Sequence, residues 1–125
     1  MILDTNALSA YADGVPEAVA AIDAAPSVEV PIIALGEYRF GVAQSRRRRE
    51  YESWLSAFLQ LGLVLNVTEE TTSAYVEIRL ELKLAGTPIP ANDLWIAALC
   101  RQHALPILSR DRHFDAVKRL RRLGW

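Results

Sequence analysis

Short aliphatic runs alternate with longer stretches of helical periodicity along this chain, and two of the runs finish at a carboxylate. Met1-Ile2-Leu3 leads into Asp4, and Ile107-Leu108-Ser109 leads through Arg110 into Asp111. Runs this short and apolar suit strands covered on both faces, and strands separated by helices pair in parallel. Right-handed crossovers bring the strand tips to one edge of the sheet. Ligands of open parallel sheets sit at that edge. An aspartate there is badly placed for packing and well placed for a cation.

The intervening residues agree with this alternation. Residues 6–12 predict a short helix stopped by Asp13-Gly14, and Pro16 opens a helix that Pro26 closes. A second strand is expected over 28–30. Pro31 introduces a helix over 33–44, and an amphipathic helix over 46–61 carries Tyr51, Trp54, Leu55, Phe58 and Leu59 before Gly62 ends it. Residues 63–67 read as a third strand. Thr68, Thr71 and the acids Glu69-Glu70 mark a helix start, and Gly86 marks its stop. Asn92 or its predecessor caps a helix running to His103, and 107–109 form a fourth strand. A last helix is expected over 113–123, which leaves only Leu123 to Trp125 for any further strand. The fold class is α/β, a three-layer α/β/α arrangement with a mostly parallel central sheet of four to five strands. Residues 1–125 form a single domain of ordinary size.

Two more carboxylates fall on helices. Glu37 lies four residues after Ile33, three before Phe40 and four before Gly41, which puts it on the apolar face of its helix. A carboxylate buried there must protonate, pair with an arginine or bind a metal. Asp93 precedes Ile96, Ala97 and Cys100 by three, four and seven residues, so it heads a core-facing stripe.

Composition narrows the alternatives. With 51% hydrophobic residues the chain is not disordered. One cysteine, Cys100, excludes an intramolecular disulfide framework and a cysteine-rich zinc site; its neighbours suggest a small buried hydrophobe. No apolar run is long enough to cross a bilayer and no export signal opens the chain, so a cytoplasmic protein with no membrane partner is expected. The net charge of -1 hides two basic clusters. Arg46, Arg47, Arg48 and Arg49 are consecutive, and residues 110–125 hold six basic residues, Arg110 and Arg112 among them, against two acids. Such clusters can hold a polyanion locally, or form a solvated helical face.

Four converging carboxylates cannot all ionise without compensation, and a hard divalent cation with oxygen ligands, Mg²⁺ or Mn²⁺, supplies it. The same cation stabilises charge on a phosphoryl oxygen. Arginines would hold a nucleic-acid backbone. Thr5, Asn6 and Ser109 are placed to orient waters or carboxylates, or simply to cap helices.

On four segments the chain resembles the PIN-domain ribonucleases, specifically the VapC-type toxins of toxin–antitoxin pairs. They are M-I-L-D-T-N at the start, I-I-A-L-G-E-Y-R-F-G around Glu37, G-T-P-I-P-A-N-D-L-W-I-A-A around Asp93 and L-S-R-D-R-H-F around Asp111. They occur in the family's order across the whole chain. The resemblance implies a Mg²⁺- or Mn²⁺-dependent endoribonuclease acting on RNA, with Asp4, Glu37, Asp93 and Asp111 in the acidic site. It also implies a homodimer, inhibited by a small cognate antitoxin that covers the site. Asp4 and Asp93 would be the principal ligands, Glu37 and Asp111 would complete the site directly or through water, and Asp115 could share or replace the role of Asp111. The family usually ends on a fifth strand, for which this chain leaves few residues. A non-catalytic RNA- or protein-binding module on the same fold is the alternative. A phosphotransfer protein fits poorly. A receiver domain wants an aspartate where Asn66 and Thr68 stand, and an aspartate-nucleophile phosphatase wants one at Asn6.

Overall fold

Five short strands pair in the order β3-β2-β1-β4-β5, and every pairing is parallel. The strands are β1 (Ile2–Leu3), β2 (Glu29–Pro31), β3 (Leu63–Leu65), β4 (Ile107–Leu108) and β5 (Arg122–Leu123). The helices are α1 (Thr5–Ala12), α2 (Pro16–Asp23), α3 (Ile32–Ala43), α4 (Arg48–Leu61), α5 (Glu69–Ala85) and α6 (Ala91–His103). The computed structural model describes residues 1–61 and 63–125; the helix stop expected at Gly62 lies outside them.

The central strand β1 sits beside β2 on one edge and β4 on the other, with Ile2 in register with both Glu29 and Ile107. The chain works outward from β1 to β3, then crosses back to β4. The topology therefore reverses beside β1, and a crevice at the strands' carboxyl ends is expected there. Ile2, Leu3, Ile107 and Leu108 are at most 1% exposed, as the aliphatic runs required of doubly covered strands. Glu29, buried in β2, pairs with the Met1 ammonium at 2.9 Å.

Local signals hold at most boundaries. Thr68 and Thr71 form a capping box at the start of α5, and Gly86 ends it in the left-handed region. Pro90, not Asn92 or Ala91, occupies the N-cap position of α6. Ile96, Ala97 and Cys100 are buried in the stripe below Asp93. Burial pushes the Cys100 thiol up to about 12, which makes it the inert hydrophobe expected. The aromatic side chains of α4 join α1 and α3. Trp54 stacks on Phe58, and Tyr11 meets both edge-on. Tyr75 stacks on Trp95 between α5 and α6. Tyr51, Trp54 and Tyr75 are half-buried and packed against the core, and Leu82 is buried in it.

The third strand, expected over 63–67, stops at Leu65, and two larger expectations fail. The buried face of α3 is Ala34, Leu35, Tyr38 and Val42, whereas Phe40 is 68% exposed and Glu37 and Gly41 are also exposed. This helix is apolar nearly all round, so spacing alone offered two faces. Glu37 is therefore not the buried acid that the spacing implied; it lies at the margin of the crevice. The helix expected over 113–123 is a single 3₁₀ segment, Arg112–Ala116, followed by a turn that places Arg119 in the left-handed region and then by β5. Pairing along β4 wins over local helical spacing. Ile107 N–H donates to the Arg121 carbonyl at 3.0 Å, and Ser109 N–H donates to the Leu123 carbonyl at 2.9 Å. The fifth strand exists, and it is two residues long.

Candidate active site

The crevice beside β1 is a cleft of about 530 Å³, and Asp4, Glu37, Asp93 and Asp111 all line it, with Thr5, Asn6, Asn92, Ile96 and His113. The four sequence-predicted acids therefore meet, although more than a hundred residues separate the first from the last.

Asp4 leaves β1 and caps α1. Its Oδ1 accepts from Ala7 N–H at 2.7 Å, and its Oδ2 accepts a short hydrogen bond from the Ser109 hydroxyl. The residue is 5% exposed. Burial pushes its carboxyl above the usual range; the charges of Asp93 and Asp111 push the same way, and the two hydrogen bonds oppose them. Asp93 faces it from the first turn of α6. Burial raises this carboxyl too, Asp111 and Glu37 add repulsion, and a hydrogen bond with His113 opposes them.

Asp111 follows β4 and caps the 3₁₀ segment through Oδ1, which accepts from His113 N–H at 2.9 Å. Its own N–H donates to Ser109 Oγ at 2.9 Å, so Ser109 ties the tip of β4 to Asp4 at the tip of the neighbouring β1. Thr5 donates to Glu37 Oε1 at 2.9 Å and steadies the exposed acid at the cleft's edge. Asn6 lines the cleft and is exposed.

Asp115 is engaged elsewhere. Arg122 grips both its oxygens, at 2.7 and 3.0 Å, and reaches the Ser109 carbonyl at 3.1 Å. That guanidinium holds the Asp115 carboxyl below its usual range. Asp115 thus braces the β4 tip through Arg122, and Asp111 is the acid facing the cleft.

The reading from sequence gave His113 no role. Its Nδ1 lies 3.3 Å from Asp93 Oδ2 and 3.0 Å from Asp111 Oδ1. The signal was available: His113 is two residues past Asp111, inside the same short motif. Among the described residues lining the cleft there is no lysine or arginine. Mutually repelling carboxylates with no lysine or arginine beside them are a donor set that fits a divalent cation.

A family model described as "PIN domain" matches residues 1–120. The chain belongs to the PIN domain family. Two relatives extend the likeness. Ribonuclease VapC4 of Mycobacterium tuberculosis is 31% identical over 90 residues, covering 70% of this chain and 69% of the relative. Toxin FitB of Neisseria gonorrhoeae is 31% identical over 121 residues, covering 89% and 87%. In three dimensions the chain is similar to a crystal structure of VapBC2 from Rickettsia felis bound to a DNA fragment from their promoter. That match has a TM-score of 0.88 at 23% identity, over 99% of this chain and 97% of the other.

In this PIN domain the basic clusters stay outside the cleft lining. Arg46 to Arg49 are exposed; Arg47 pairs with Glu50 and Arg48 with Glu52, each at 2.7 Å. Arg110 lies over the Trp125 ring at 4.8 Å, and Arg112 is exposed on the 3₁₀ segment. No helix is long and apolar enough to cross a membrane among the described residues.

Proposed function

We propose that this PIN domain is a divalent-metal-dependent endoribonuclease that hydrolyses phosphodiester bonds in RNA and serves as the toxin of a toxin–antitoxin pair. The cleft carries the reading: it gathers four carboxylates with no lysine or arginine among its described lining. The names of the relatives, a ribonuclease and a toxin, support it.

Asp4, Asp93 and Asp111 would hold Mg²⁺ or Mn²⁺, with Glu37 joining directly or through water. Bound there, the ion supplies charge stabilisation for a phosphoryl oxygen and lowers the pKa of water. The chain's own groups do the remaining work. Ser109 and Ala7 N–H fix both Asp4 oxygens, so this carboxylate is preorganised before substrate arrives. Thr5 orients Glu37, which at the exposed margin is placed to take the proton of an attacking water. Asn6 at the cleft wall donates hydrogen bonds to substrate oxygens. Arg110 and Arg112 flank Asp111 and hold flanking phosphates, with Arg46 and Arg49 as a remoter contact.

In the cell the protein works in the cytoplasm as a homodimer, and a small VapB-like antitoxin restrains it by covering the cleft. Antitoxin-free protein incubated with total RNA tests this, with Mg²⁺, with Mn²⁺ and with chelator, beside Asp4→Asn and Asp93→Asn. Discrete metal-dependent ends, absent in both variants, are expected. Intact RNA under every condition, with no metal binding, would leave a non-catalytic binding module.

A further inference from the structure

Asp93, Asp111 and His113 each offer one ligand atom, and all three atoms lie within 4.8 Å of one another. This group contains a nitrogen. The position of the ring needs a cause. The 3₁₀ segment does not require it, because Asp111 caps through the backbone N–H of His113 and not through the imidazole. Packing does not require it either, since the side chain is 52% exposed. An ion pair at that exposure contributes little to stability. Yet Nδ1 faces one oxygen of each of two carboxylates, at 3.3 and 3.0 Å. Those carboxylates approach from separate elements, α6 and the tip of β4, so one local turn does not create the arrangement.

We infer that His113 is a nitrogen ligand of the cation held by Asp93 and Asp111, and that the centre therefore selects a first-row transition ion such as Mn²⁺ over Mg²⁺. The inference rests on the metal-dependent reading above and sharpens it from a cation to a kind of cation. Mg²⁺ demands oxygen ligands and keeps its waters, so an imidazole adds little to its binding. Divalent transition ions gain from nitrogen donors. Asp4 lies outside this group and has both oxygens already hydrogen-bonded, which suits an acid that shapes the field of the centre as much as one that ligates.

The chain has two histidines, which makes the test clean. His103 ends α6 ten residues after Asp93, about 15 Å along the helix at the usual rise per residue. Mn²⁺ is the probe, with nitrogen coupling read by electron spin echo envelope modulation and affinities for Mn²⁺ and Mg²⁺ by calorimetry. Wild type should show imidazole nitrogen coupled to bound Mn²⁺. His113→Ala should lose that coupling and about 10- to 100-fold in Mn²⁺ affinity while its Mg²⁺ affinity holds; His103→Ala should keep both. The backbone cap survives in His113→Ala, so the fold is retained, and far-ultraviolet dichroism checks it. Bound Mn²⁺ without nitrogen coupling in wild type, or equal losses for both ions in His113→Ala, overturns the inference and leaves the metal-dependent reading intact. No Mn²⁺ binding to wild type overturns both.

Discussion

Carboxylates serve this protein in two opposite ways. At the outer edge of the sheet, Arg122 clasps Asp115, and on the α5–α6 seam Arg101 clasps Glu81 through two bonds of 3.1 Å. Both acids are held below their ordinary range, chiefly by the hydrogen bonds from those guanidiniums. In the cleft, Asp4 and Asp93 are pushed above it, chiefly by burial. The residue types are the same, so the difference lies in what faces them. Clasped acids hold elements together. The cleft acids, without a cation, cost stability, and a chain that keeps them needs another use for them. The clasps also serve the cleft indirectly: Arg122 reaches the Ser109 carbonyl, and the Ser109 hydroxyl holds Asp4.

The largest expected effect breaks the two groups apart by activity. Asp93→Asn should lower metal-dependent RNA cleavage about 100- to 10,000-fold, as removal of a group acting in the transition state does. Asp111→Asn should follow it. Asp115→Asn should retain cleavage much nearer to wild type when measured on folded protein. Cleavage rates of the three variants at saturating Mn²⁺ decide this. If Asp115→Asn fell as far as Asp111→Asn, the division between clasp and cleft would not stand.

Stability should divide the groups the other way. Arg101→Ala removes the Glu81 pair and a 2.8 Å bond to the Lys118 carbonyl, which anchors the loop leading to β5. Hydrogen bonds to charged groups are each worth about 1.5–3 kcal/mol, and partial exposure of Glu81 puts the loss at the low end, about 1–2 kcal/mol. Denaturant melts should show an earlier midpoint, with cleavage per folded molecule unchanged. A midpoint equal to wild type would mean that the seam is held by its apolar packing, including the Tyr75–Trp95 stack, and that the clasp adds nothing.

Why the sequence revealed the cleft better than the clasps follows from the same contrast. Asp4 and Asp111 follow apolar runs, and Asp93 heads a stripe that ends at Cys100; each is marked by its own neighbours. Those local patterns also carried the parallel sheet, because doubly covered strands must be apolar on both faces. Arg122 with Asp115 is visible only once β5 is known to pair with β4, and that pairing was hidden under the helical spacing of Val117, Leu120 and Leu123. Glu37 failed for the converse reason. Its helix has apolar residues on every side, and the choice of buried face came from fit against the sheet. The four acids still met, because the helix position, not its rotation, brings Glu37 to the cleft. His113 was missed because its meaning depends on Asp93, twenty residues earlier on another element.

The smallest effect is a pair of opposite pH slopes, and it tests the contrast most directly. An aspartate has an unfolded value near 4. For Asp4 the folded value is raised, so the folded state binds the extra proton. Its contribution to stability is fully present below the unfolded value and is lost as pH rises through the folded one. For Asp115 the folded value is lowered, so its contribution is present above the unfolded value and is lost as pH falls through the folded one. Thermal melts in chelator should therefore separate the variants by pH window. Asp4→Asn keeps an acceptor for Ala7 N–H and turns an amide donor toward Ser109 Oγ, so its advantage over wild type should grow as pH rises from about 4 toward neutral. Asp115→Asn should trail wild type at neutral pH and converge with it below about pH 4. A saturating divalent cation should erase the Asp4→Asn advantage, because it stabilises wild type more, and leave the Asp115→Asn deficit in place. If Asp4→Asn melted below wild type at neutral pH without metal, the two hydrogen bonds to Asp4 would outweigh its burial. Asp4 would then belong with the clasps, and the cleft would be defined by Asp93, Asp111 and His113 alone.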